Sequence, residues 1–251
     1  MDSQLIAGVT RYCDYPPAAQ SRPVIGGIID PSLEAIQMRR PDLVLAARGN
    51  PTQVIQSIRA LGIPLFAVDD RTGLAGIARI IRQIAVLAGP DDTLRGDSVV
   101  RHVEWSLAAY GAWSDSIPPD ARRTVYYADP EHPEWTAGPG SHVDDLIRLS
   151  GGANVITEGG AWPQISAERL ALLHPDCLLL ALPEGGDRAA ILARMRGRPG
   201  WAEMPALREA RICWIDAGRL LRPGPRLFAG LEELAACLYP NRHRPQWRWG
   251  R

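Results

Sequence analysis

The sequence predicts an α/β protein of two Rossmann-like lobes, each with a central parallel sheet, joined by one long rigid helix. Three observations carry that reading: a helix–break–strand segment that occurs twice, strands alternating with helices, and one long helical stretch that Ile117-Pro118-Pro119 closes. The first copy of the repeat reads Ser32-Leu33-Glu34, then Pro41-Asp42-Leu43-Val44-Leu45-Ala46. The second reads Ser166-Ala167-Glu168, then Pro175-Asp176-Cys177-Leu178-Leu179-Leu180-Ala181. A short helix, a Pro-Asp break and a wholly apolar strand make half of an α/β unit, so two copies imply two related lobes.

The elements follow in order. Residues 4–9 read as an opening strand, followed by the Pro-rich turn Tyr15-Pro16-Pro17 and a short strand near Val24. After the first repeat come a helix around 51–61 and the strand 64–68, ending at Asp69. This alternation points to a parallel sheet with helices on its faces. From Thr72 to Ala88, Leu74, Ile77, Ile80, Ile81, Ile84 and Leu87 recur at helical steps. Gly89-Pro90 breaks that helix, and a second runs from about Asp91 to Trp113, with Val99, Val103, Leu107 and Tyr110 on one face. This second helix is the expected connection between lobes.

The second lobe opens with the strand 124–128. Ser141, three residues before Asp144, starts a helix closed at Gly151-Gly152, in the manner of a capping box and a glycine cap. The second repeat, a helix near 187–197 and the strand 211–215 ending at Asp216 follow. A last amphipathic helix carries Leu227, Leu231, Leu234 and Leu238. The expected domains are an N-terminal lobe over 1–88, a connecting helix over 89–117, a C-terminal lobe over 118–240 and a loose tail over 241–251.

Composition narrows the function classes. With 46% hydrophobic and 22% charged residues the chain is globular, and its formal net charge of zero gives no field to recruit nucleic acid or an anionic membrane. All 28 basic residues are arginine, which we read as codon bias. Cys13, Cys177, Cys213 and Cys237 form no CxxC pair and no zinc spacing. Cys177 and Cys213 fall in strands of one lobe and could pair, but buried free thiols are the expectation. No run approaches the ~18 apolar residues of a membrane span. Met1-Asp2-Ser3-Gln4 lacks the features of a secretion signal. There is no nucleophile elbow, phosphate loop or zinc-protease motif, and His102, His132, His142, His174 and His243 lack ligand spacing. The reading is therefore of a non-enzyme with neither metal nor cofactor.

Tyr12, Trp135 and Trp162 lie in loops beside strand ends, where open α/β sheets bind ligands. Converging rings could sandwich a large flat molecule; the alternative is that Trp135 and Trp162 fill the interiors of their lobes. Glu34 and Glu168 occupy matched first helical turns. Each alone would complement a helix dipole, but together they offer a two-pronged acidic contact for a basic partner.

Several segments resemble the cobalamin-binding proteins of ABC importers. In the first lobe these are Gly8-Val9-Thr10-Arg11-Tyr12-Cys13-Asp14-Tyr15-Pro16-Pro17, Asp30-Pro31-Ser32-Leu33-Glu34, Arg40-Pro41-Asp42-Leu43-Val44 and Leu61-Gly62-Ile63-Pro64. In the second they are Trp135-Thr136-Ala137-Gly138-Pro139-Gly140, Trp162-Pro163-Gln164-Ile165-Ser166 and Arg222-Pro223-Gly224-Pro225-Arg226. The resemblance covers residues from about 5 to 240. It implies two α/β lobes bridged by a helix, and a monomeric periplasmic protein that captures a corrinoid between the lobes and hands it to a membrane permease without catalysis. Tyr12, Trp135, Trp162 and Arg222 would then contact the ligand, and Glu34 and Glu168 would dock onto permease arginines. Relatives that bind haem or ferric siderophores share the architecture. A cytosolic enzyme or redox protein on a two-lobed fold is the reading from a different class. Two departures from the pattern stand out. Ile28 and Ala47 replace further cleft aromatics, and the chain begins one strand and one helix late, so the first strand–helix of the N-terminal lobe and a signal peptide are expected to be missing.

Overall fold

The computed structural model describes residues 5–69 and 73–247. The expected helix start at Thr72, the residue at position 4 and the tail from 248 onward lie outside that range. Two compact units are present, one of residues 1–70 with 79–98, the other of 71–78 with 99–251.

The first unit contains helix α1 (Leu33–Arg39), strand β1 (Val44–Ala47), helix α2 (Thr52–Ala60) and strand β2 (Leu65–Val68). The Ser32 hydroxyl accepts from Ala35 N at 3.1 Å and so caps α1. Arg40 takes a left-handed conformation (φ 43°) where the helix ends, and Pro41 follows. β1 and β2 pair in parallel, Val44 opposite Leu65 and Ala47 opposite Val68. The opening strand expected over 4–9 is reduced to one parallel bridge, Val9 to Val24. Ile36 and Ile58 supply the buried faces of α1 and α2, whereas Leu45 on β1 is exposed.

Helix α3 (Ala75–Ala88) begins among the second unit's residues and ends among the first's, and helix α4 (Pro90–Asp115) passes from the first unit's residues to the second's. Gly89, at φ 116°, makes the turn between them. A Cβ on Gly96 would lie 2.4 Å from the Ala85 Cβ, so α3 and α4 approach there too closely for any side chain. At 26 residues α4 is about 39 Å long. Val103 and Tyr110 are buried as its pattern predicts.

The second unit is built on an all-parallel sheet in the order β4-β3-β5-β6. Its strands are β3 (Thr124–Ala128), β4 (Ala153–Asn154), β5 (Cys177–Leu182) and β6 (Ile212–Asp216). The helices are α5 (His142–Leu149), α6 (Ala167–Leu172), α7 (Arg188–Arg196), α8 (Pro205–Arg208), α9 (Ala217–Leu220) and α10 (Leu227–Leu238). β5 is paired on both edges and buried from Cys177 to Ala181. One face of the sheet, carrying Tyr126, Leu178 and Leu180, packs with Ile191, Met195 and Trp201. The other carries Cys213 toward α10, because a disulfide joins Cys213 to Cys237. That bond corrects the expectation of free thiols: Cys213 is oxidised with Cys237, and Cys177 is left as a buried thiol. The pairing partner sits on a helix, where strand proximity gave no hint of it.

Residues 242–247, expected to be loose, are packed. Trp247 is buried and stacks on Phe228 at 5.3 Å between ring centres. Tyr110 OH donates to Pro245 O at 2.7 Å, and Trp113 Nε1 donates to His243 O at 2.7 Å. A tryptophan stacked on α10 and two backbone carbonyls with partners on α4 outweigh the polar composition that suggested disorder.

Asp176, from the second repeat, pins the start of β3 to β5. Its carboxylate accepts from Thr124 N at 2.8 Å and from the Thr124 hydroxyl at 2.9 Å. Desolvation raises its pKa, but those bonds and the charges of Arg123 and Arg211 outweigh it and hold the carboxyl below its ordinary value. A lowered folded-state pKa contributes stability that is present above the unfolded value and is lost as pH falls through the folded one. Asp176→Asn should therefore lower stability at pH 7. The gap between variant and parent should narrow as the pH drops below about 4, the ordinary Asp range. Urea unfolding of both proteins at the two pH values measures this.

Candidate functional site

In the second unit the loops leaving β3 and β4 at their carboxyl ends are zipped together. Thr136 N donates to Pro163 O (3.1 Å), Gly138 N to Ala161 O (3.0 Å) and Ile165 N to Glu134 O (2.9 Å). Trp135 and Gln164 form an antiparallel bridge within this ladder. A Cβ on Gly138 would sit 2.3 Å from Gly160 O, so only glycine lets the two backbones come this close. The Thr136 hydroxyl donates to Tyr127 O at 2.6 Å and anchors the ladder to β3. At the β3 end of the loop, the Asp129 carboxylate accepts from Glu131 N and His132 N, both at 2.9 Å. Arg198 adds a 3.0 Å pair to Glu134.

This frame presents both tryptophans to solvent. Trp135 is 46% exposed and Trp162 44%, so neither fills the interior of its unit. Trp162 is braced edge-on by Tyr127 at 6.2 Å and by His142 at 5.6 Å. Burial, followed by the nearby Asp129 charge, pushes the Tyr127 phenol well above its ordinary value, so it stays neutral. The bracing by Tyr127 was not visible in the sequence, because a tyrosine inside an apolar strand reads as core. Arg222 is exposed, in the loop between α9 and α10 beyond the carboxyl end of β6. Trp135, Trp162 and Arg222 thus share the end of a parallel sheet at which α/β proteins bind ligands.

A second feature of this unit is a depression of ≈ 380 Å³ beside the edge strand β4, lined by Arg122, Asp144, Arg148 and Asn154 among others. Its polar groups are engaged with one another or with backbone. Arg148 pairs with Asp144 and Asp145, Asn154 donates to Asp144 at 2.8 Å, and Arg122 donates to Ile117 O and Ser114 O. Neither tryptophan lines it.

In the first unit Tyr12 is 52% exposed. The neighbouring Arg11 guanidinium lies 5.9 Å from its ring centre and forms a two-pronged pair with Asp30, at 3.1 and 2.9 Å. That hydrogen-bonded pair holds the Asp30 carboxyl below its usual range. Asn50 donates to Ile28 O at 2.7 Å and accepts from Ala47 N at 2.8 Å, tying together the two positions where the sequence departs from the aromatic pattern. Arg48 bridges the ends of β1 and β2 through Asp69 at 2.7 Å.

Glu34 and Glu168 are both exposed on the first turns of α1 and α6. Ser166 caps α6 through Arg169 N at 3.3 Å, as Ser32 caps α1. The Glu168 carboxyl is held below its ordinary value by its own backbone N–H and by the Ser166 hydroxyl.

Comparisons with known proteins agree with this architecture. The sequence model of the family described as periplasmic binding protein matches residues 2–217. The vitamin B12-binding protein of Salmonella typhimurium is 30% identical over 233 residues, covering 92% of this chain and 82% of that protein. Among solved structures, the periplasmic haem-binding protein RhuT from Roseiflexus sp. RS-1 superposes with a TM-score of 0.78 at 27% identity, over 93% of this chain and 89% of that one. The periplasmic vitamin B12-binding protein BtuF of Vibrio cholerae superposes with a TM-score of 0.76 at 23% identity, over 93% and 88% of the two chains. These relatives share a two-lobed α/β fold with parallel sheets.

Exposure sets the expected stability effects. Trp135→Ala should cost no more than about 0.5 kcal/mol. Trp162→Ala loses two edge-on ring contacts and should cost about 1–2 kcal/mol. Trp201→Ala, in the core, should cost about 3–5 kcal/mol. Denaturant unfolding of the three variants checks the order.

Proposed function

The chain belongs to the periplasmic binding protein family, the substrate-binding components of ABC importers, and from that membership we propose that its ligand is cobalamin or a related corrinoid. The family is one of binding proteins, not enzymes: its members take up a small molecule and deliver it to a membrane permease. The observation that carries the corrinoid reading is the pair of half-exposed indoles on a hydrogen-bonded double loop at the carboxyl end of a parallel sheet. The 30% identity to a vitamin B12-binding protein supports it.

A corrin is a broad macrocycle whose ring and methyl groups offer apolar area beside its polar amide substituents. Each aromatic contact with such a surface is worth about 0.5–1.5 kcal/mol beyond area burial. The ladder holds the indoles in place before ligand arrives, which lowers the ordering cost of binding. Tyr12, set beside the Arg11–Asp30 pair, is proposed as a third ring contact, and Arg222 as a donor to the polar substituents of the macrocycle. Glu34 and Glu168 are assigned to permease docking, because they are solvent-facing carboxylates at matched positions and take no part in either unit's core. The site of action is outside the cytoplasmic membrane, and the protein works as a monomer.

Haem is the second reading, supported by the 27% identity to a haem-binding protein of similar structure. The two are separated by calorimetric titration with cyanocobalamin beside absorbance titration with haemin. Saturable one-to-one heat with cyanocobalamin is expected; a silent titration together with a saturable haemin band would replace the corrinoid by haem. Trp162→Ala should weaken cyanocobalamin binding at least tenfold, and an unchanged isotherm would remove that residue from the site. Joint Glu34→Ala and Glu168→Ala substitution should leave the isotherm unchanged and abolish uptake in cells, so persistent uptake would refute the docking role.

A further inference from the structure

One cluster of chemically competent side chains lies outside the proposed ligand contacts. The sulfur atoms of Cys177, Cys213 and Cys237 lie within 4.8 Å of one another, the one group of three metal-ligating side chains found among the described residues. They come from three elements of the same unit: Cys177 begins β5, Cys213 lies on the neighbouring β6, and Cys237 is near the end of α10. Cys213 and Cys237 are joined, and the Cys177 thiol is directed at the Cys213 sulfur at 3.3 Å. Cys177 and Cys213 are buried, while Cys237 is exposed and so leaves the cluster open on one side.

We propose that the reduced protein holds a thiophilic d10 cation such as Cu(I) on the sulfurs of Cys177, Cys213 and Cys237. A single disulfide between Cys213 and Cys237 leaves Cys177 idle. Three convergent thiolates and no nitrogen or carboxylate oxygen in the cluster are a soft donor set, which selects Cu(I)-like ions over hard cations. Two of the three donors are fixed by the register of a parallel sheet, so the site is largely organised before the ion arrives.

The chemistry balances as follows. A dithiol reductant supplies two electrons and two protons to the Cys213–Cys237 bond and is itself oxidised to a disulfide. The cation then displaces the thiol protons, which pass to solvent through the open Cys237 side. Burial raises the Cys177 pKa to about 11, opposed in part by the charges of Arg211 and Arg123. A metal ion overrides that burial effect, since a coordinated thiol loses its proton outright. Oxidation to the disulfide removes two of the three donors, so cation binding and the disulfide exclude each other.

The test uses the full chain carrying Cys13→Ser, which removes the one cysteine outside the cluster. The protein is reduced with dithiothreitol, freed of reductant without air and titrated with Cu(I) against bicinchoninate, with the ultraviolet thiolate-to-copper band as the readout. One Cu(I) per chain is expected. Cys177→Ala and, separately, Cys237→Ser should each weaken binding at least tenfold, and the oxidised protein should not compete with the chelator. Equal affinity in both variants, or in the oxidised protein, overturns the proposal. Cys237 is exposed, so its substitution decides the question even if Cys177→Ala impairs folding. Cyanocobalamin titration of the same variants should be unaffected, which keeps this test separate from that of the proposed ligand.

Discussion

Everything in the second unit depends on strand β5 being satisfied on all four sides. Its backbone pairs with β3 on one edge and β6 on the other, and its side chains from Cys177 to Ala181 are buried on both faces. A strand in that position must be apolar throughout, because a polar residue on either face would be buried without a partner. It must also run parallel to its neighbours, since each is reached through a helical crossover. Once those directions are set, the loops after β3, β4 and β6 all emerge at one end. The placement of Trp135, Trp162 and Arg222 at that end is thus a consequence of how β5 is buried.

The duplicated segment shows what local sequence can and cannot specify. Both copies produce a serine-capped helix with a glutamate in its first turn, then a proline and a strand, and both serines accept the expected backbone hydrogen bond. These are short-range contacts, set by residues within a few positions of one another. The environment of the strand differs between copies. β5 is enclosed, whereas β1 pairs with β2 and leaves Leu45 exposed. Asp176 is clamped to Thr124, while its counterpart Asp42 is solvent-exposed. The same grammar gives equal secondary structure and unequal burial, because burial is decided by strands distant in the chain.

That distinction also sorts the site. Aromatics beside proline and glycine at strand ends could be picked out from the sequence, while their exposure was settled only by the structure. The double-loop ladder could not, as it joins backbone atoms of residues 134–138 to those of 161–165 with no side-chain signature beyond Gly138. The sulfur cluster was hidden for the same reason: positions 177, 213 and 237 have no motif spacing and meet through a strand pair and a helix. Residues 242–247 misled through composition. Arginine and proline around Trp247 suggest solvation, yet the buried indole and the carbonyls of His243 and Pro245 bind it to α4 and α10.

A protein that presents two indoles to water has to prevent them from collapsing onto its own surface. Burying such a ring is worth about 25 cal/mol per Å² of apolar area, so a loose loop would fold its tryptophan inward. Three backbone hydrogen bonds, the Thr136 anchor and the edge-on support of Tyr127 and His142 oppose that collapse. The rings keep their exposed apolar area, and that area becomes driving force only when a partner of matching shape covers it. A small polar solute would cover little of it and a flexible chain would lose entropy in doing so. A rigid macrocycle would meet both conditions, and the corrinoid proposed above is of that kind.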